Sequence, residues 1–322
     1  MKNFGYKKVL LSLAVVFVLF AALASAGCGK PQKKPDTSPP HTANLSSEPE
    51  ISVFMHETNE VRSMKMEDYI AAVVAGEMNS NWPVEALAAQ AIIARTFTVE
   101  AIETKGGVPS RGTDASTSIE EFQAYNANGV NENVKKAVDM TRGLIITYQN
   151  APAKTWFHAS AGGITASAKE GLNYRQAEPP YIHSVKSPDE LAPANVKSWQ
   201  AVFSKKDVLA ALNKHGIKVN NINSLKIGEK GPSGRTVSLL VNGSIDISGP
   251  DFRVSLDSIK LKSMLLDKID VSGDTVTFSG RGYGHGVGMS QWGAHQLAKS
   301  GKTHEEIVLH YFKDVKLEKR WQ

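Results

Sequence analysis

The chain has 322 residues, 41% hydrophobic and 21% charged, which is length and apolar content enough for a substantial core. Its formal net charge is +5, and Lys2, Lys7 and Lys8 at the extreme N-terminus supply three of those charges, so the remainder is not basic enough for a nucleic-acid binder. The single cysteine, Cys28, excludes an intrachain disulfide framework and any cysteine-built zinc site within one chain.

Residues 1–28 read as a targeting segment: a short basic stretch, an apolar run from Val9 to Leu23, then Ala24-Ser25-Ala26-Gly27-Cys28. A cysteine directly after Ala-Gly resembles a bacterial lipobox, with Cys28 as the lipidated residue, although Ser25 stands where leucine is usual. The alternatives are an uncleaved membrane anchor over Val9 to Ala26 and simple secretion. All three place the rest of the chain outside the cytoplasm. Residues 29–50, rich in Pro, Ser, Thr and Lys, form a flexible linker, which leaves 51–322 as one folded domain.

Ile51 to Met55 is a short strand. Met66 to Val99 then gives two helical patterns joined by the elbow Asn79-Ser80-Asn81. Tyr69, Val73 and Glu77 recur four apart with Ile70 and Val74 beside them, so Glu77 lies on an apolar face. Pro83 suits the first position of the second helix, whose inward row is Ala88, Ala91, Ile92, Arg95 and Val99. Glu77 and Arg95 are thus both placed for burial. Either Glu77 is a general acid whose pKa is set by burial and a neighbouring Arg95, or the two form a structural ion pair.

Asn131 to Met140 is a short amphipathic helix ended by Gly143. Leu144 to Tyr148 and Lys154 to His158 read as strands paired around the turn 149–152, and His158 opens a small-residue loop through Ser160 to Thr165. His158 at a strand end is either a satisfied histidine or a functional one. A helix spans Lys206 to His215, and Thr236 to Ile247 is a hairpin turning at Asn242-Gly243. Asp251 to Leu266 is another helical segment. A strand ending at Gly280 leads into glycines at 280, 282, 284, 286 and 288 that alternate with Arg281, Tyr283, His285 and Val287. Such alternation leaves one edge of the loop without side chains, against which a sugar chain can lie. A helix follows from Gln291 to Lys299, and Thr303-x-x-Glu306 is a capping box for the last one. The glycine run has no P-loop Lys-Ser/Thr, which discounts nucleotide binding.

Two stretches together resemble a known family. Gly76-Glu77-Met78 with Pro83-x-Glu85-Ala86-Leu87-x-Ala89-Gln90-Ala91 and Ala94-Arg95-Thr96, and the run from Gly284 to Ala294 (GHGVGMSQWGA), are similar to segments of the stage II sporulation protein D family. Phe157-His158-Ala159-Ser160 resembles the family's tyrosine-histidine-serine segment, with one residue inserted. The resemblance implies a peptidoglycan lytic transglycosylase that cleaves glycan strands whose stem peptides a partner amidase has removed. It also implies a role in wall remodelling, septal thinning in sporulation above all, and a catalytic role for Glu77. Tyr283, His285 and Gln291 become candidates to bind sugar hydroxyls and acetamido groups, Trp292 to stack on a ring, and Arg95, His158 and Ser160 to line the same cleft. Gln291 and Trp292 are equally readable as scaffold. The family also contains amidase enhancers, so a non-enzymatic wall-binding protein is the alternative. Some members hold zinc on histidines and cysteines in the segment after His158; this chain has no cysteine there, so no metal and no cofactor are expected. The expected fold is α+β, with helices gathered around Glu77 and short antiparallel strands supporting the loops at His158 and His285.

Overall fold

A computed structural model describes residues 47–322; the targeting segment, Cys28 and most of the linker lie outside the described residues. The last linker residues belong to the fold, because Glu48 accepts the backbone N–H of Glu67 at 2.8 Å and Pro49 accepts that of Met66 at 3.0 Å. The architecture is α+β, with helices packed among small sheets of two or three strands.

Strand β1 (Glu50–Met55) pairs antiparallel with β2 (Glu60–Lys65), and β2 runs directly into helix α1 (Met66–Glu77). Helix α2 (Val84–Lys105) follows the elbow; Pro83 is its N-cap and Gly106, in the left-handed region, ends it. Nearly every side chain of α1 is buried, and the alanines of α2 allow close approach. Around this pair lie the helix Glu132–Met140, the strands Leu144–Tyr148 and Lys316–Lys319, and the last helices, Gln291–Lys299 and His304–Tyr311. Both Asn131 and Thr303 cap their helices through the side chain, and the Thr303–Glu306 capping box is complete.

A second apolar core is separate from the first. It packs the sheet of Trp199–Ser204, Thr275–Gly280 and Leu266–Ser272 with the helices Lys205–Asn213 and Gly249–Leu256 and a three-stranded sheet. That sheet holds the hairpin Ser238–Val241 and Ile245–Ser248, whose turn residues Asn242 and Gly243 both have positive φ, as a type I′ turn requires. The single domain expected from 51 to 322 therefore contains two cores.

Two expectations are corrected. The partner of Leu144–Tyr148 in its hairpin is only Ala151–Pro152: the Ala153 N–H still reaches the Ile146 carbonyl at 2.9 Å, but the Ile146 N–H donates to Thr96 Oγ1 at 2.9 Å and the ladder ends there. Phe157–His158 instead pairs in parallel with Met289–Ser290. The helix expected to reach Leu266 stops at Leu256, because the Asp257 carboxylate accepts the N–H groups of Ile259 and Lys260 in a tight turn.

Candidate active site

The parallel pairing of Phe157–His158 with Met289–Ser290 brings two distant loops to the C-terminal end of α1. There Glu77, Phe157, His158, Ala159, Gly284, His285 and Gln291 line one cavity of about 10 Å³, the scale of a single water or hydroxyl group.

Glu77 is the last residue of α1 and is 1% exposed. Its Oε1 accepts the backbone N–H of Ala124 at 2.8 Å, while Oε2 has no partner among the described residues. Gly76 makes the first contact possible: a Cβ there would stand 2.8 Å from the Ala124 carbonyl carbon and the Tyr125 nitrogen. Burial pushes the Glu77 carboxyl up to about 8, against the opposing pull of the Ala124 N–H and the Gln291 amide. Glu77 therefore holds its proton near neutral pH with one oxygen free to deliver it. Gln291 donates to the Glu77 main-chain carbonyl at 3.2 Å, satisfying an end-of-helix acceptor.

His158 and His285 are 2% and 7% exposed, with ring centroids 5.6 Å apart. The Nδ1 of His158 lies 3.1 Å from the Val287 carbonyl oxygen, and the Val287 N–H donates to Nδ1 of His285 at 3.0 Å. Neither Nε2 has a partner among the described residues. Burial holds both rings well below the usual histidine range, His285 at about 3. The other ring and the Arg235 guanidinium add to this at His158; Arg253 and Arg235 add to it at His285, with the Phe157 carbonyl opposing. Both imidazoles are neutral.

The glycine loop departs from the sequence reading. Gly282, Gly284, Gly286 and Gly288 all have positive φ. Their bare edge is filled by the protein itself: Gly286 lies against the Arg235 guanidinium and Gly284 against the Cβ of His158. This edge positions His285; it is not a track for sugar.

Arg95 is also corrected. It does not pair with Glu77. Its fully buried guanidinium grips Glu67, at 3.1 Å and 3.2 Å through Nε and 2.6 Å through Nη2, and donates to the Leu144 carbonyl at 2.9 Å. Glu67 also accepts the N–H of Gly143 and the indole of Trp321. A short elbow turns α2 back along α1, so a residue three turns into α2 meets the start of α1, about 15 Å from Glu77.

The other sequence candidates surround the cavity. Ser160 is committed to Asp189, to which its hydroxyl donates at 2.7 Å. Tyr283 exchanges backbone hydrogen bonds with Ser160 and packs its ring with Ala159, Ala192 and Val196. Trp292 is half-buried, and its N–H donates to the Ala159 carbonyl at 3.0 Å. Its ring lies 4.5 Å from Trp82, which in turn stacks on His295 at 4.4 Å.

Sequence reasoning missed Trp82, although an aromatic in the elbow straight after Glu77 was the available signal. It also missed Asp189, whose carboxylate ties together Ser160, Gly162, Ser187 and Ser290. No local pattern around Asp189 announces that role. Among the described residues no three His, Cys, Asp or Glu side chains are grouped to hold a metal ion.

Comparison with known proteins follows the same division. A family model described as "Stage II sporulation protein" matches residues 55–148, and one described as a domain of unknown function (DUF8618) matches residues 178–288. The chain is 31% identical to the stage II sporulation protein D of Bacillus subtilis over 284 residues, covering 83% of this chain and 78% of that one. It is 30% identical to the protein of the same name from Bacillus amyloliquefaciens, over 82% and 77% of the two chains. An amidase enhancer of Bacillus subtilis is 27% identical over 76% of this chain and 39% of its own length. With a buried acid at Glu77 and two histidine loops closing on it, the chain belongs to the stage II sporulation protein D family.

Proposed function

We propose that the protein is a peptidoglycan lytic transglycosylase that cleaves denuded glycan strands to 1,6-anhydro-N-acetylmuramic acid ends. The observation that carries the reading is Glu77, a buried carboxyl with its pKa raised to about 8 and Oε2 turned to a cavity without a partner. Glu77 gives its proton to the glycosidic oxygen as the C1–O bond breaks. The C6 hydroxyl of the same muramic acid closes on C1, and its proton returns to the Glu77 carboxylate. Hydrolytic glycosidases pair two carboxylates; Glu77 is the one carboxyl lining this cavity, which suits an intramolecular nucleophile. The chemistry needs no cofactor.

The relatives' names, a stage II sporulation protein and an amidase enhancer, support a role in sporulation beside an amidase; on this reading the amidase strips the stem peptides first. Peptidoglycan lies outside the cytoplasm, so residues 1–28 act as a leader or anchor that holds the domain at the outer face of the membrane, with Cys28 as the lipid attachment point. Incorporation of labelled palmitate that is lost in Cys28→Ser tests the anchor. Mass spectrometry of products from denuded strands tests the activity: anhydro ends are expected, and intact strands would overturn it. The amidase-enhancer relative supports a second reading, a wall-binding stimulator of an N-acetylmuramoyl-L-alanine amidase. That reading expects no anhydro ends and a faster amidase on mixing.

A further inference from the structure

We propose that Val287 locks His158 and His285 into opposite tautomers, and that the resulting acceptor and donor seat the attacking C6 hydroxyl of the substrate beside Glu77. The proposal rests on the lytic reading above.

Both rings are anchored to the two backbone groups of one residue. A carbonyl only accepts, so the Val287 oxygen 3.1 Å from His158 Nδ1 requires the proton on that nitrogen. A backbone N–H only donates, so the Val287 nitrogen 3.0 Å from His285 Nδ1 requires a lone pair there. In a neutral imidazole each choice fixes the other nitrogen. His158 Nε2 is left as an acceptor and His285 Nε2–H as a donor. Both are buried, both lack a partner among the described residues, and both side chains line the cavity that Glu77 also lines. Leaving such groups unpaired is costly, and a ligand that satisfies them recovers that cost.

The chemistry of the vacancies names the group that fits. An alcohol oxygen has one hydrogen to give and two lone pairs. Its hydrogen meets His158 Nε2, one lone pair accepts from His285 Nε2–H, and the second lone pair is left to attack C1. The room is that of one hydroxyl, so the cavity takes O6 while the scissile C1–O bond lies at its mouth, within reach of Glu77. When Glu77 has protonated the leaving oxygen it is a carboxylate in the same cavity. As the O6–C1 bond forms, the hydroxyl hydrogen swings from His158 Nε2 to the Glu77 carboxylate, which takes the proton, and both histidines end neutral, as they began. Water also fits the seat, and its attack on C1 would give a reducing end instead of an anhydro end. Holding the hydroxyl is thus what selects the product.

Two measurements decide this. In the intact protein with ring-¹⁵N histidine at pH 7, His158 should carry its proton on Nδ1 and His285 on Nε2, with signals assigned from His158→Gln and His285→Gln. The same tautomer on both rings would overturn the lock. On denuded glycan strands, His158→Phe removes the acceptor and should raise the ratio of reducing to anhydro ends about tenfold. His158→Gln, which restores an oxygen acceptor, should bring the ratio most of the way back; it also serves if the Phe variant does not fold. A slower variant with an unchanged end ratio would show that His158 only supports the loop, overturning the seat. If the wild-type protein makes no anhydro ends, the lytic reading and the hydroxyl seat fall together, while the labelled spectra still decide the tautomers.

Discussion

Gln291 donates its side-chain amide to the main-chain carbonyl of Glu77 at 3.2 Å, joining positions 214 residues apart in the chain. The bond ties the Glu77 end of α1 to the helix that follows the glycine loop. Gln291→Leu leaves a buried carbonyl unsatisfied, so about 1–3 kcal/mol of stability should be lost. Glycan cleavage should fall more steeply than stability, because the Glu77 carboxyl loses its orientation. Thermal unfolding beside product counting separates the two effects.

Glu77→Gln should abolish cleavage and leave the fold intact, and it should also change how stability depends on pH. The Glu77 carboxyl lies at about 8 when folded and near its ordinary 4.5 when unfolded. Between those values the folded state holds the extra proton, so the contribution of Glu77 to stability falls as pH rises from about 5 to about 8. The glutamine variant lacks this contribution, so the stability difference between the two proteins should change with pH over that window. Parallel slopes for the two proteins would show that Glu77 is not protonated in the fold.

The histidines act at the other end of the scale. His158 and His285 stay neutral when folded but take up protons when unfolded. Their contribution is present above the ordinary histidine range and is lost as pH falls below about 6.5. From pH 7 to pH 5 the denaturant midpoint of wild type should drop relative to that of a folded variant with both rings replaced by glutamine, which isolates their contribution from that of Glu77.

Arg95 and Glu67 form a buried pair remote from the cavity. Arg95→Met strands the Glu67 carboxylate and should cost about 3–5 kcal/mol. At a temperature where the variant is fully folded, cleavage per folded molecule should be close to wild type. A large loss of turnover in folded Arg95→Met would place this pair in the chemistry after all.

Gly76→Ala should be more damaging than its size suggests. The added methyl meets the backbone of Ala124 and Tyr125, which cannot yield like a flexible side chain. The Ala124 N–H would be driven off Glu77 Oε1, removing a bond that holds the pKa down. The pH at which activity falls should therefore rise, which a pH–rate profile reads directly.

Whatever depends on chemistry between near neighbours was legible in the sequence. Pro83, the Thr303–Glu306 box and Asn242-Gly243 state their local geometry, and the four-residue spacing put Glu77 on a buried face. The Arg95 partner was within reach as well. Counting back from the elbow at 1.5 Å per residue leads from Arg95 to the first turn of α1, where Glu67 stands. What could not be read is the parallel pairing of Phe157–His158 with Met289–Ser290. A parallel pair across so long a separation has no turn to announce it, yet together with the Ser160–Tyr283 backbone pair it brings His158 and His285 together. The glycine loop misled for a related reason. Bare backbone admits a close neighbour, but the sequence does not say whether the neighbour is a sugar or Arg235.

Arg235 has a consequence for how this protein could be divided or rebuilt. It belongs to the stretch matched by the model of unknown function, and its guanidinium lies on Gly286 while donating to the carbonyls of Ala161 and Ile164. It works as a keystone, wedged between the two loops that present the histidines. An excised Glu77 core would keep the acid and lose the frame that aims the rings. Grafting a foreign module in place of residues 178–288 would remove His285 together with Arg235, so the replacement would have to supply both the ring and the cation that frames it.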